Sequence, residues 1–481
     1  MTAPAAPVPS SAIAAEVWAS AHHGVVAALR DLIRIRSINP PDPANPDGET
    51  QAARYLARRL DSLGLEPEVV EPAPGRGSVH ARLRGDGTAG EPFLLMSHLD
   101  VVPAPPERWS HDPFAADISD EYVYGRGAVD MKGMIALELG VLERLVDEAR
   151  QAGRDPARDP IPGLRRDVLF TCVADEEAGS TDGARWFAAN RPEWLRAAAA
   201  VNECGGVSVT IADRRLYPIQ VAEKGFVPYR IHVSGTWGHG SMPRDDNAAV
   251  RAARIVERLA EPGPIRITPV MTRFLELAAA ALPAEAAAVL KAIADGELDP
   301  VATDRAIDRL CDPMYGRALG AMLRDTLSPN VIDAGVKYNV IPGDAIVEVD
   351  CRILPGTTER DMFAEVERRI GPGLLPACRI ERLALGEPVE SPAEGPFWDT
   401  LVATLMDHDP EGVALPVMAP FATDAKATAM VGTPTYGFSP FRLEPEERFL
   451  ERFHGVDERI SLDALRFGLP VLYDVVRRFC G

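Results

Sequence analysis

Three apolar runs that each end in acid or imidazole side chains constrain the fold of this chain more than any other feature. Residues 92–96 lead into Ser97-His98-Leu99-Asp100, residues 167–174 into Asp175-Glu176-Glu177, and residues 198–202 into Glu203. Short apolar runs with polar punctuation read as buried strands. Side chains two apart on a strand point the same way, so His98 and Asp100 share one face at the strand's mouth, where a carboxylate can help fix the imidazole tautomer. Shorter strands are expected at 68–71 and 78–83, and helices at 16–35, about 50–63 and 134–148. This alternation predicts an α/β sheet with its functional groups at the C-terminal strand ends.

The pattern changes further on. Residues 227–234 alternate as a half-buried strand, 246–259 form an amphipathic helix, and 331–340 and 345–353 read as strands around Pro342-Gly343. A helix at 358–370 and a strand at 378–385 complete the order β-α-β-β-α-β of a ferredoxin-like α+β sandwich. An Ala-rich helical insertion, about 262–328, separates its first helix from its second strand, and helices at 397–406 and 461–479 return to the first pattern. The expected domains are a first α/β part over 1–222, with 1–15 as a mobile tail, an inserted domain over 223–386, and a second α/β part over 387–481.

Composition narrows the function. With 46% hydrophobic and 25% charged residues, 481 residues suffice for two or three globular domains. A net charge of -20 argues against nucleic acid or an anionic membrane as partner. No apolar run approaches the roughly 18 residues of a membrane span. The first 15 residues lack a basic segment followed by an apolar core, so no secretion signal is expected and the cytoplasm is the default location. Six scattered cysteines give neither a disulfide framework nor a zinc knuckle.

The strand-end groups and two later motifs make an ordered set: His98, Asp130, Glu176-Glu177, Glu203 and His454. Two metal ions about 3.5 Å apart need a bridging ligand, which a carboxylate can be and an imidazole cannot. Asp130, in the glycine-rich stretch Tyr124-Gly125-Arg126-Gly127-Ala128-Val129-Asp130, suits that bridge. Two histidines with several carboxylates favour zinc first, with cobalt or manganese as alternatives. Adjacent in sequence, Glu176 and Glu177 cannot both aim at one point in a regular strand, so one can bind metal while the other serves as proton shuttle.

His98-x-Asp100, Gly125-x-Gly127-x-x-Asp130-x-Lys132-Gly133, Asp175-Glu176-Glu177-x-Gly179, Asn202-Glu203 and His454-Gly455 together resemble the M20 metallopeptidase family, from about residue 30 to the C-terminus. That family includes aminoacylases, bacterial deacylases of acetylornithine and succinyl-diaminopimelate, glutamate carboxypeptidases and dipeptidases. The resemblance implies a zinc-peptidase-like α/β/α catalytic domain with a mixed sheet, interrupted by a lid or dimerisation domain. It implies one divalent ion held by His98, Asp130 and Glu203 and a second by Asp130, Glu177 and His454, with Glu176 as general base and Asp100 orienting His98.

In the insert, Gly238-His239-Gly240-Ser241 is similar to the family segment whose histidine reaches the substrate carbonyl. Asp350-Cys351-Arg352-x-x-Pro355 is similar to the segment whose arginine grips a substrate carboxylate, a task a planar guanidinium performs through two parallel hydrogen bonds. Asn330 falls where the family has an asparagine near the substrate, and Gly437 in a loop flanking the site. Met131 stands where many relatives have a second Asp, and the thiol Cys204 follows a ligand; Lys132, Thr423, Asp424 and Lys426 match positions that support loops. The insertion resembles the longer carboxypeptidase and N-acyl-amino-acid hydrolase branch.

The resulting expectation is a dinuclear hydrolase cutting an amide bond next to a free carboxylate in an N-acyl amino acid or short peptide. Glu176 would activate a metal-bridging water, His239 would stabilise the oxyanion, and closure of the insert would complete the site. In some relatives this histidine comes from a partner subunit, so a homodimer is plausible. The rivals are a lidless dinuclear aminopeptidase, which has no place for the insert, and a non-catalytic binding or assembly relative, which should have lost a ligand or the base.

Overall fold

The computed structural model describes residues 9–42 and 45–481. They divide into two compact units, one running to Val221 with Ser391–Val417 and Thr423–Gly481, the other Ala222–Glu390 with Met418–Ala422. The second unit extends to Glu390 because Val389 and Glu390 pair antiparallel with Glu223 and Ala222, so the chain leaves beside the strand by which it entered.

Four parallel strands form the middle of the sheet in the first unit, in the order Val168–Val173, Phe93–His98, Ala199–Asn202, Thr435–Gly437. Antiparallel strands flank them: Ser78–Leu83 and then Glu68–Val70 on one side, Arg214–Glu223 on the other. Every residue of the four central strands is buried, as sheets covered on both faces require. On one face lies the helix Lys132–Gln151, buried along most of its length, packed with Ala15–Arg34 and Leu462–Cys480. On the other, Leu94, Met96, Leu169 and Val173 pack against Phe187, Trp194 and Ala427. The unit is thus a three-layer α/β/α sandwich. His98 lies opposite Val173, and Gly437 opposite Asn202, so the segments carrying His98, Glu176-Glu177 and Glu203 leave one edge of the sheet.

The expected tail is only partly described, since residues 1–8 lie outside the described residues. From Ser10 onward it is docked rather than mobile: buried Ser10 gives its N–H to Asp474 Oδ1 at 2.7 Å, and Trp18 Nε1 bonds the Ser10 carbonyl. A hydrogen bond to a charged carboxylate from a buried backbone group is reason enough for order.

In the second unit the strands Thr326–Ala334, Asp344–Ile353, Tyr229–Ser234 and Cys378–Arg382 lie side by side in that order, all antiparallel. Helices Ala248–Leu259 and Glu359–Ile370 contribute to its apolar core. Asp344–Ile353 alternates strictly: Ala345, Val347, Val349, Cys351 and Ile353 face the core, leaving Glu348, Asp350 and Arg352 on the outer face. The sequence order and the antiparallel neighbours are those of a ferredoxin-like fold. One strand differs from expectation, beginning at Thr326 rather than 331 and ending at Ala334. Pro329 hid its start. It is tolerated because this strand pairs only with Asp344–Ile353 and the register slips between Pro329 and Val331, so the missing N–H falls at a bulge on an edge. The insertion is correspondingly shorter, four helices between Pro269 and Met322.

Candidate metal centre

Asp130 occupies the centre of the strand-end cluster. Its Oδ1 lies 3.1 Å from His98 Nε2 and its Oδ2 3.3 Å from His454 Nε2. Around His98 stands Glu203, with Oε2 at 3.6 Å from Nε2; around His454 stands Glu177, with Oε2 at 3.1 Å. Two triads therefore share one carboxylate through its separate oxygens: His98–Asp130–Glu203 and His454–Asp130–Glu177. Ligand atoms of His98, Glu176 and Glu203, and likewise of His98, Asp130 and Glu177, come within 4.8 Å of one another.

Local structure explains the convergence. His98 ends a fully buried strand, and its Nδ1 faces the Asp100 carbonyl at 3.0 Å, which leaves Nε2 toward Asp130. Asp100 in turn is a staple. Its Oδ1 accepts the Glu176 N–H at 3.1 Å, and its Oδ2 accepts the Glu177 N–H at 3.0 Å and Asn39 Nδ2 at 2.8 Å. One buried carboxylate thereby ties the end of the His98 strand to the turn that carries both glutamates. That turn starts from Asp175 in the left-handed region, which breaks the strand and lets the two neighbours diverge. Gly127 has φ +90, and a Cβ there would meet Lys132 and Val101 at 2.9 Å, so the Asp130 loop closes only over glycine.

Four carboxylates crowded out of water are costly unless cations are present. Burial pushes Glu203 up to about 7 against the pull of His98, and it likewise raises Glu176, with Glu203's charge adding to the effect. Glu177 is raised by burial although His454 opposes it. Bonds to Asp130 and Glu177 push His454 up to about 10, and the carboxylates around His98 overcome burial to raise it too. The cluster thus recruits positive charge onto its imidazoles. Two divalent ions fit the same demand, and the oxygen and imidazole donors fit zinc, cobalt or manganese.

Several positioning residues escaped the reading of the sequence. Glu458, fully buried, accepts the N–H groups of Gly127, Val129 and Asp130 and the guanidinium of Arg126. Its place four residues after His454 was the only signal. Asn39, which bonds Asp100, also bonds Asp175, and its side-chain Oδ1 accepts from Arg76, which pairs with Glu49. Cys204 stands at φ +70 and its thiol donates to Glu203 Oε2 at 3.3 Å; burial holds that thiol well above its usual range, so it stays protonated. Gly437 is buried beside the Glu203 strand, where a Cβ would come within 2.4 Å of the Glu203 carbonyl.

The substrate-facing candidates His239, Arg352 and Asn330 belong to the second unit. His239 is exposed on a short strand paired with Val340–Ile341, its Nδ1 turned to Ser241 Oγ at 2.8 Å. Arg352 gives Nε and Nη2 to Asp350 at 2.8 and 3.0 Å and lies over the Phe226 ring. Asn330, at the bulge, accepts from Ser328.

Imidazoles and carboxylates gathered at the C-terminal ends of the central strands, two histidines sharing one aspartate, are the donor set of a metal-dependent hydrolase. The chain belongs to peptidase family M20/M25/M40, matched over residues 94–478, a metal-dependent family that hydrolyses amide or peptide bonds. Among similar proteins, the human N-fatty-acyl-amino acid synthase/hydrolase PM20D1 is 28% identical, covering 94% of this chain and 86% of its own. Pig aminoacylase-1 is 29% identical, covering 94% and 97%. An M20 family metallo-carboxypeptidase from Sulfolobus solfataricus superposes with a TM-score of 0.69 at 16% identity, covering 95% of this chain and 99% of that one. Human carnosine dipeptidase 1 gives 0.66 at 16%, covering 97% and 99%. No described helix is long and apolar enough to cross a membrane.

Proposed function

We propose that this protein is a two-metal amidohydrolase that cuts an amide bond adjacent to a free carboxylate, with N-acyl amino acids as the favoured substrates and short peptides next. The observation that carries the reading is Asp130, whose two oxygens each face a different histidine and so offer one bridging ligand to two triads. His98 and Glu203 would hold one ion, Glu177 and His454 the other, with Asp130 shared. The ions would supply Lewis acidity at the carbonyl and a lowered pKa for water. Glu176 would take the proton from the attacking water and pass it to the leaving amine. Burial suits it to that task, since a carboxylate held above its usual range is a stronger base.

Arg352 would hold the substrate carboxylate through the guanidinium edge that Asp350 leaves open, with Asn330 further along the same strand pair, at the bulge opposite Glu348 and Val349. His239 would donate from Nε2 to the oxyanion, worth roughly 3 kcal/mol by analogy with other oxyanion donors. His239 and Glu176 belong to different units, so the reading includes a closing motion, or a homodimer in which the partner supplies the histidine. The exposed Val331 and Ile332 on the edge strand Thr326–Ala334 favour the homodimer. PM20D1 and aminoacylase-1 are the reason for ranking N-acyl amino acids first.

The test is hydrolysis of a panel of N-acyl-L-amino acids and dipeptides, before and after chelation and reloading with zinc, cobalt or manganese. Chelator-sensitive release of a free amino acid, lost when the substrate carboxylate is amidated, supports the proposal. Turnover of amidated substrates that carry a free amine refutes it in favour of an aminopeptidase. Silence across the panel from a protein that takes up no metal refutes it in favour of a binding module.

A further inference from the structure

The two triads are not built alike. His98 and Glu203 sit at the ends of neighbouring buried parallel strands, held by the sheet's own hydrogen bonds. His454 stands in a loop at φ +55, after a helix of only four residues, with its side chain 54% exposed. Nothing in the sheet holds it, so its distance from Asp130 depends on whatever joins the two loops.

One ion pair does so. Arg126 and Glu458 are 3% and 0% exposed, and Arg126 Nη1 meets Glu458 Oε2 at 2.6 Å. Glu458 Oε2 also accepts the Gly127 N–H at 3.0 Å, while its Oε1 accepts the N–H groups of Val129 and Asp130 at 2.8 and 3.1 Å. Arg126 Nη2 reaches the carbonyl of Gly455, the residue after His454, at 3.0 Å. The Glu458 carbonyl takes the Gly125 N–H at 2.9 Å, and the next residues, Arg459–Ser461, pair antiparallel with Tyr122–Tyr124. Trp109 lies against the guanidinium at 5.2 Å and shields the pair from water.

We infer that the Arg126–Glu458 pair is a positioning clamp that sets the His454–Asp130 distance, and thereby makes the affinity for the second metal ion separately adjustable from that for the first. This rests on the two-ion reading above. A carboxylate accepting three backbone N–H groups while paired with a planar fork fixes both direction and distance, which a single contact cannot. Groups of this kind behind metal ligands typically govern affinity by about 10–100-fold.

The test uses the full-length protein stripped of metal and titrated with cobalt(II), following heat and the visible d–d spectrum, with circular dichroism and thermal melting to monitor the fold. The variants are Glu458→Gln, which turns an amide N–H against donors, and Arg126→Lys, whose single ammonium can reach Glu458 or the Gly455 carbonyl but not both. Wild type is expected to take up two ions. Folded Arg126→Lys leaves the bond from the Asp130 N–H to Glu458 in place, so it is expected to bind the first ion with unchanged affinity and spectrum and the second about 10–100-fold more weakly. Glu458→Gln also loosens the shared Asp130, so it weakens both sites, the second more. If Glu458→Gln fails to fold, Arg126→Lys decides. Two sites that weaken equally in folded Arg126→Lys, or a second site that does not weaken in it, overturn the clamp while leaving the two-ion reading intact. A wild type that binds only one ion overturns both.

Discussion

Asp100→Asn is the substitution that most directly probes how the cluster is assembled. The replacement keeps shape but exchanges one carboxylate oxygen for an amide NH2. Placed at the Oδ2 position, that NH2 would face two donors, Glu177 N–H and Asn39 Nδ2. Placed at the Oδ1 position it would face the Glu176 N–H at 3.1 Å and His98 Nδ1 at 3.4 Å. The second orientation costs less because the His98 contact is the longest of the four, so the conflict settles mainly on the turn that carries Glu176. One charge-assisted hydrogen bond is lost and one buried backbone N–H is left unmatched, together about 2–4 kcal/mol. His98 loses its 3.4 Å contact with the Asp100 carboxylate but keeps Nδ1 on the Asp100 carbonyl at 3.0 Å, which the substitution leaves in place. The expected variant unfolds in urea with about 2–4 kcal/mol less stability. Metal uptake through His98 persists, and kcat falls at least about tenfold with KM little changed, since each 1.4 kcal/mol of misplacement in the transition state is a factor of ten. A variant with wild-type stability and kcat would refute the staple, and one that loses all metal would show that Asp100 acts mainly through His98.

Glu176→Ala should leave metal content near normal, measured by elemental analysis, while abolishing turnover; residual activity at wild-type level would remove Glu176 from the role of base. Gly437→Ala would press a methyl within 2.4 Å of the Glu203 carbonyl, so a stability loss of about 1–3 kcal/mol and weaker metal binding are expected in denaturation and metal titrations. Glu138, buried behind the His98 strand and bonded among the described residues only to Ser97 Oγ at 2.7 Å, is pushed up to about 8 by burial. Its folded pKa thus exceeds the unfolded one near 4.3, so folding takes up a proton between those values, and stability falls as pH rises through that window with a slope of up to about 1.4 kcal/mol per unit. Glu138→Gln should flatten that slope in denaturation series from pH 5 to 8; an unchanged slope would mean the acid is already ionised.

What could be read in the sequence was what depends on local pattern. Buried parallel strands need unbroken apolar runs, so Phe93–His98, Val168–Val173 and Ala199–Asn202 announce themselves, and so do the polar residues that end them. The order β-α-β-β-α-β follows from periodicity in the same way, except where Pro329 masks an edge strand. Motif spacing also brought His454 and Asp130 into one argument, although 324 positions (454 − 130) separate them.

Tertiary structure alone decided which groups hold the others in place. Glu458, Asn39, Arg76 and the docking of Ser10 on Asp474 depend on partners far away in the chain, and nothing in the residues themselves marks them as partners. Tertiary structure likewise decided that Gly437 stays small because the Glu203 backbone passes beside it. Hydrophobic periodicity is a property of neighbours in sequence. The directed hydrogen bonds that place a carboxylate within about 3 Å of its ligand mate are a property of neighbours in space, and only the folded chain supplies them.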